Sequence, residues 1–226
     1  IDAVDTPFTY QGRNYHLIDT AGLRRKSRRE EDLEIISAFK AEGSIHRANL
    51  VLVVIDAILG PTDQDARILQ SILEAHKAVL VVANKVDAEP FDRGRFVSQL
   101  QNEFHFFEDV PFTFVSAKSG KGLRELMSQI QSIEEKMFRR ISTSELNDFF
   151  FDVIRKAPAP VYGTTNVKFY YMTQTRQVPP AFIAFANHPD GVDRSYRRFL
   201  LKNLKERFDL RGIPIRIFVM KSRGGR

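Results

Sequence analysis

AVLVVANKVD, residues 78–87, runs six apolar residues straight into a polar tetrapeptide. A short, valine-rich apolar run of this kind is a strand, and ligands of open α/β sheets are met at the carboxyl ends of strands. Asn84, Lys85 and Asp87 therefore stand where a ligand would be read. A carboxylate at Asp87 accepts two hydrogen bonds from the N1 and 2-amino hydrogens of guanine, a pattern that adenine does not offer. Asn84 is placed for the O6/N7 edge of the purine, and the methylene stem of Lys85 for the ring face. On this stretch alone the alternative stays open: a polar strand exit that happens to read NKxD.

Two further strand ends carry polar or small residues in order. Upstream, YHLIDTAGL (15–23) closes an apolar run with Asp19 and Gly22. An acid at a strand tip suits a hydrated metal and a glycine amide suits a terminal phosphate, although Asp and Gly are also common turn residues. Downstream, Ser116-Ala117-Lys118 follows another apolar run. Its small residues let backbone amides approach a base edge, and Ser116 is placed to brace the loop carrying Asp87. Three such endings in this order make coincidence improbable.

Around these endings the chain alternates short apolar strands with amphipathic segments, the signature of an α/β sheet with covering helices. Strands are expected at 6–10, 14–19, 49–56, 78–84 and 111–116, and helices at about 31–47, 62–76, 92–105 and 122–138. Gln11-Gly12-Arg13 makes the first two strands antiparallel neighbours, and the helix-length segments before the later three make those parallel. A boundary is expected near Arg139-Arg140, dividing the chain into 1–140 and 141–226. Beyond it, Ser142 and Glu145 have capping-box spacing, and Leu146, Phe149, Phe150, Val153 and Ile154 form one apolar helix face that Pro158 and Pro160 end. Strands at 166–172 and 181–186, a helix at 193–208 and a strand at 213–220 complete a three-stranded sheet with two helices on one face.

Composition narrows the chemistry. The chain has 226 residues, 43% hydrophobic and 27% charged, enough for one large domain or two modest ones. It has no cysteine, which excludes disulfides and cysteine-ligated zinc or iron. None of the five histidines stands at metal-ligand spacing. The longest apolar runs, 50–55 and 78–83, are far too short to cross a bilayer, and Ile1-Asp2-Ala3 does not resemble a signal peptide, so a cytosolic setting without a membrane partner is expected. The net charge of +6 is uneven, −2 over residues 1–140 and +8 over 141–226, which points to a polyanionic partner for the second part.

The order DxxG, NKxD, SAK resembles the G3, G4 and G5 motifs of translation-factor-like GTPases. With IDTAGLRRK before a long charged helix, VVIDAILGPTDQD after the next strand and GIPIRIFV near the end, the whole chain resembles the double-Era GTPase family (Der or EngA), as its second G domain and C-terminal KH-like domain. The resemblance implies a Ras-like P-loop GTPase domain of α/β class, incomplete at its N-terminus, followed by an α+β KH-like domain. It implies that Asp19 holds Mg2+ through water and that the Gly22 amide meets the γ-phosphate, with Thr20, Ala21, Leu23, Asn84, Lys85, Asp87, Ser116, Ala117 and Lys118 completing a GTP/GDP site. It implies assembly of the large ribosomal subunit, through rRNA and not DNA, by a monomeric, cytoplasmic and ribosome-associated bacterial protein.

Two departures qualify this. No G-x-x-x-x-G-K-[ST] stretch occurs in the sequence, and Ile1 aligns just beyond the switch I threonines of the family, so the G domain is expected to continue upstream. Leu23 stands where many GTPases place a water-orienting glutamine; the resemblance implies a K+ ion near the phosphates instead. The basic run Arg24, Arg25, Lys26, Arg28 and Arg29 is either a solvated charge run or a reporter of nucleotide state. In the second domain Tyr196, Phe199, Leu200, Leu204 and Phe208 mark a buried helix face, and Arg194, Arg198, Lys202 and Lys205 the opposite one, a stripe suited to phosphates. The G-x-x-G loop with which KH domains clamp RNA is missing between the helices, so the helix face is the expected RNA contact. The rival reading is an RNA-binding scaffold with a degenerate, nucleotide-free G domain.

Overall fold

The computed structural model describes residues 5–18, 43–104, 110–159 and 161–222. Strands β1 (Asp5–Tyr10) and β2 (Arg13–Ile18) pair antiparallel as expected. They are followed by β3 (Leu50–Asp56), α1 (Asp63–Glu74), β4 (Ala78–Asn84), α2 (Arg93–Glu103), β5 (Phe112–Phe114) and α3 (Leu123–Phe138). The later three strands form a parallel sheet of order β3-β4-β5, with β4 in the centre. Of the helix expected at 31–47, only the helical stretch 43–47 falls within the described residues.

All six apolar residues of 78–83 are at most 3% exposed, and alternate ones face opposite sides of the sheet. Val79, Val81 and Ala83 share a core with Leu69 and Ile72 of α1 and Phe96 and Leu100 of α2. Leu80 and Val82 share another with Ile133 and Met137 of α3. Each valine or leucine sealed this way contributes roughly 1.5–3 kcal/mol. The helices start where local chemistry allows. Thr62 and Asp65 form a reciprocal capping box at α1, and Asp92 accepts from Arg95 N at α2. The hairpin leans on α3: Arg13 reaches Glu134 and Glu135 at 3.1 and 2.8 Å, and the Tyr15 hydroxyl donates to Glu134 at 3.0 Å. Among the described residues it forms a separate sheet from β3-β4-β5.

The second domain contains α4 (Thr143–Lys156), a small hairpin of β6 (Val161–Tyr162) and β7 (Thr165–Asn166), β8 (Phe169–Gln174), β9 (Ala181–Ala186), α5 (Arg194–Arg207) and β10 (Arg216–Lys221). Its sheet has order β10-β9-β8, parallel between β10 and β9 and antiparallel between β9 and β8. Leu146, Phe150 and Val153 of α4 and Tyr196, Leu200 and Leu204 of α5 are buried in its core. The Tyr196 hydroxyl donates to Ala157 O at 2.6 Å, and burial pushes its pKa up to about 12. The same core continues into the first domain through Met137 and Ile133. Lys136 pairs with Asp209 at 3.1 Å and Arg139 donates to Phe208 O at 2.9 Å across the boundary.

Several expected ranges shift. The strand expected at 166–172 begins at Phe169, because Gly163, at φ +62°, turns the preceding residues into the small hairpin. The strand expected at 213–220 begins at Arg216, opposite Ala181 where β9 begins; Ile213 and Ile215 are buried without ladder pairing. The strand expected at 111–116 forms a ladder only over Phe112–Phe114; beyond it Pro111 O and Val115 N each make one bond to β4, while Ser116 N bonds Lys121 O within the following loop. At α4 only half of the capping box forms: Ser142 Oγ accepts from Glu145 N, while the Glu145 carboxylate lies 3.9 Å from Arg207.

Candidate nucleotide site

Parallel pairing in register, Asp56 beside Asn84, brings the carboxyl ends of β3 and β4 to one edge. The exits of β4 and β5 are zipped by Val115 N to Ala83 O at 2.8 Å and Val86 N to Val115 O at 3.3 Å. Between them lies a cavity of about 380 Å³ lined by Asn84, Lys85, Asp87, Ala88, Ala117 and Lys118.

Within it the side chains are already partly committed. Asn84 Oδ1 accepts from Lys85 N at 2.8 Å and Ala117 N at 3.0 Å, fastening the two loops together. Its amide nitrogen is left to donate. Ser116 is fully buried; its hydroxyl accepts from Ser119 N at 3.1 Å and bonds the Asp87 carboxyl. That bond, then the Asp87 backbone amide and the charges of Lys118 and Lys121, holds the Asp87 pKa below the usual carboxylate range. The carboxylate is thus an acceptor-only group at neutral pH.

Two residues outside the expected set, Asp56 and Gly122, support this edge. Lys85 has φ +71°, an unusual backbone state for a non-glycine residue, and its ammonium lies 2.6 Å from Asp56 Oδ2. Asp56 Oδ1 accepts from the amides of Ile58 and Leu59. Burial pushes Asp56 up, but the bonds from Lys85 and these amides outweigh it and hold its pKa low. Gly122, at φ +80°, leads the Ser116 loop into α3, and a Cβ there would meet Phe114 O at 2.1 Å. Only glycine fits this approach.

Asp19, Thr20, Ala21, Gly22 and Leu23, and the basic run at 24–29, lie outside the described residues. The Mg2+ assignment to Asp19 lies there with them. Among the described residues no group of three or more His, Asp or Glu could hold a metal, and no helix is long and apolar enough to cross a membrane.

The α5 stripe is laid out as expected: Arg194, Arg198 and Lys202 are exposed and Lys205 half-buried, opposite buried Tyr196, Leu200 and Leu204. Asp193 caps this helix by accepting from Tyr196 N at 2.7 Å. A larger hollow of about 650 Å³ between α4 and α5 contains none of the expected site residues.

A family model described as "Elongation factor Tu GTP binding domain" matches residues 1–136, and one described as "KH-domain-like of EngA bacterial GTPase enzymes, C-terminal" matches residues 140–220. GTPase Der of Geobacter metallireducens is 41% identical over 219 residues, covering 96% of this chain and 50% of that protein. GTPase Der of Geotalea daltonii is 40% identical over 228 residues, covering 100% and 52%. The chain spans about half the length of the curated relatives it matches. Among solved structures, Era in complex with MgGDPNP and nucleotides 1506–1542 of 16S ribosomal RNA aligns at 17% identity with a TM-score of 0.47, covering 97% of this chain and 80% of that chain.

Proposed function

Because the chain belongs, with the GTPase Der (EngA) proteins, to the family of elongation-factor-Tu-type GTP-binding domains, we propose that it is the guanine-reading part of a GTP-hydrolysing switch. One observation carries this: the Asp87 carboxylate lines a cavity whose two walls are fastened together by Asn84. Guanine N1–H and its 2-amino group donate to Asp87. The amide nitrogen of Asn84 donates to the O6/N7 edge, which its carbonyl, already occupied, does not oppose. The amide of Lys118 approaches the base edge from the other wall, and the stem of Lys85 covers the ring.

At the phosphate end, Asp19 would hold Mg2+ through water and the Gly22 amide would meet the γ-phosphate. Mg2+ there supplies neutralisation of the phosphate charge. Leu23 has no group with which to orient water, so that part of catalysis is assigned to K+ beside the phosphates. The second domain then meets rRNA of the large ribosomal subunit through Arg194, Arg198, Lys202 and Lys205, and nucleotide state sets how the domains pack. The +8 charge over residues 141–226 supports a polyanionic partner of this kind.

Calorimetric titration of the protein as its gene encodes it, with GDP, GTP, ADP and ATP, tests the switch reading. Binding of the guanine pair with the adenine pair at least a hundredfold weaker is expected. Indifference to all four, with RNA binding intact, would establish the scaffold reading instead.

A further inference from the structure

The sheet of the second domain has two faces; among the described residues one is packed on helices and the other is largely open. Phe169, Met172, Phe182, Ala184 and Ile217 are buried on the side of α4 and α5. On the other side, register places Tyr171 beside Phe185 and Phe185 beside Met220, and Thr173 beside Ile183 and Ile183 beside Phe218. Side chains alternate along a strand, so these residues share the second face. It is open: Tyr171 and Phe218 are each 41% exposed and Met220 49%.

The chemistry of this face is specific. Tyr171 stacks on Phe185 with centroids 4.5 Å apart and the rings 24° from parallel. The Arg216 guanidinium lies over the Phe218 ring at 5.4 Å, and the Lys168 ammonium near the exposed Tyr170 ring at 5.9 Å, at the β8 edge. Lys221 ends β10, and none of the three strands contains an acid. Exposed apolar patches of this kind mark interaction sites. Cations set around the rings with no acid among them fit a partner with flat π faces on a polyanionic backbone, since Lys168 and Lys221 add a positive rim that the lysine-depleted centre of a protein interface lacks.

We infer that the open face of β8, β9 and β10 is a stacking platform for single-stranded RNA. Bases lie on Tyr171 and Phe218, about 12 Å apart, two strand spacings across and two residues along, while Lys168, Arg216 and Lys221 meet the phosphates. The platform rests on the reading of this domain as an RNA partner, but it lies on the far side of the sheet from the α5 stripe. The two surfaces ask different things of RNA. The stripe needs only phosphates, whereas the platform needs unpaired bases, because pairing hides their faces.

Fluorescence anisotropy of the full chain with a labelled 12-nucleotide U-rich single strand, and with duplex RNA of the same length, separates them. Tyr171→Ala with Phe218→Ala is expected to weaken single-strand binding roughly tenfold or more and to leave duplex binding within about twofold. Tyr171→Phe with Phe218→Tyr, which keeps both rings, is expected to restore the single-strand affinity and so excludes misfolding as the cause. Arg198→Glu with Lys202→Glu is expected to weaken both RNAs. If only the charge reversals weaken binding, the platform is overturned while the RNA reading stands. If neither RNA binds at all, both fall. If the alanine pair leaves RNA binding unchanged but alters self-association, the face is a protein contact and the platform is overturned.

Discussion

In the proposed nucleotide site Asp87 supplies the specificity, and Asp56 is the residue that would prepare Lys85 to serve it. The ammonium of Lys85 is held at 2.6 Å by a carboxylate whose other oxygen caps the turn at Ile58 and Leu59. Replacing Asp56 with Asn keeps an acceptor for the turn and removes the charge that holds Lys85. Guanine nucleotide affinity is expected to fall three- to tenfold, with less than about 1 kcal/mol lost in urea unfolding, since Lys85 is largely exposed. An unchanged affinity would separate Asp56 from the site. Nothing in the letters around Asp56 announces this role. It depends on Asp56 lying beside Asn84 in a parallel register, a relation between two strands that residues apart in sequence do not display. NKxD is legible for the opposite reason, because its residues are consecutive and their place at a strand end follows from the apolar run before them.

Among the elements, the loop from Ser116 into α3 controls the geometry of the second wall. Gly122 and Gly120 both have positive φ, but only at Gly122 would an added Cβ strike backbone, Phe114 O at 2.1 Å. Gly122→Ala is expected to cost at least about 2 kcal/mol, by strain plus displacement of β5. Gly120→Ala, with nothing within 4 Å of its Cβ, costs only about 1 kcal/mol. Chemical denaturation of both variants checks the difference, and equal losses would contradict the assignment of Gly122 to close approach. The paired glycines in SGKGL were a signal for this, yet sequence alone does not say which of them faces a backbone. The elements that the sequence misplaced share a cause. Apolar stretches such as Ile213 and Ile215 read as strand because they are buried, but burial came from packing and ladder pairing began only at Arg216. The β6–β7 hairpin, two residues a side, is too short to generate a periodicity.

On the scale of the whole molecule, the proposed guanine site and the second domain are linked through α3. Its N-terminal end begins at Gly122 beside the Ser116 loop, and its C-terminal end contributes Met137 to the shared core and Lys136 to the pair with Asp209. The division into a charge-balanced first part and a basic second part was legible in composition, and the three-stranded sheet with its two helices in the order of the elements. The aromatic character of the open sheet face was not, since rings scattered over 170–185 and 216–220 converge only through strand register. Everything proposed for the joined domains depends on guanine being read at Asp87. Exchange of that reading by Asp87→Asn is therefore the most direct measurement. An amide presents a donor as well as an acceptor, so it donates to the carbonyl oxygen that xanthine carries in place of the 2-amino group. Titration of the variant with GDP and XDP is expected to show GDP affinity reduced at least a hundredfold and XDP bound more tightly than GDP. A variant that retains the parent protein's preference for GDP would contradict the account.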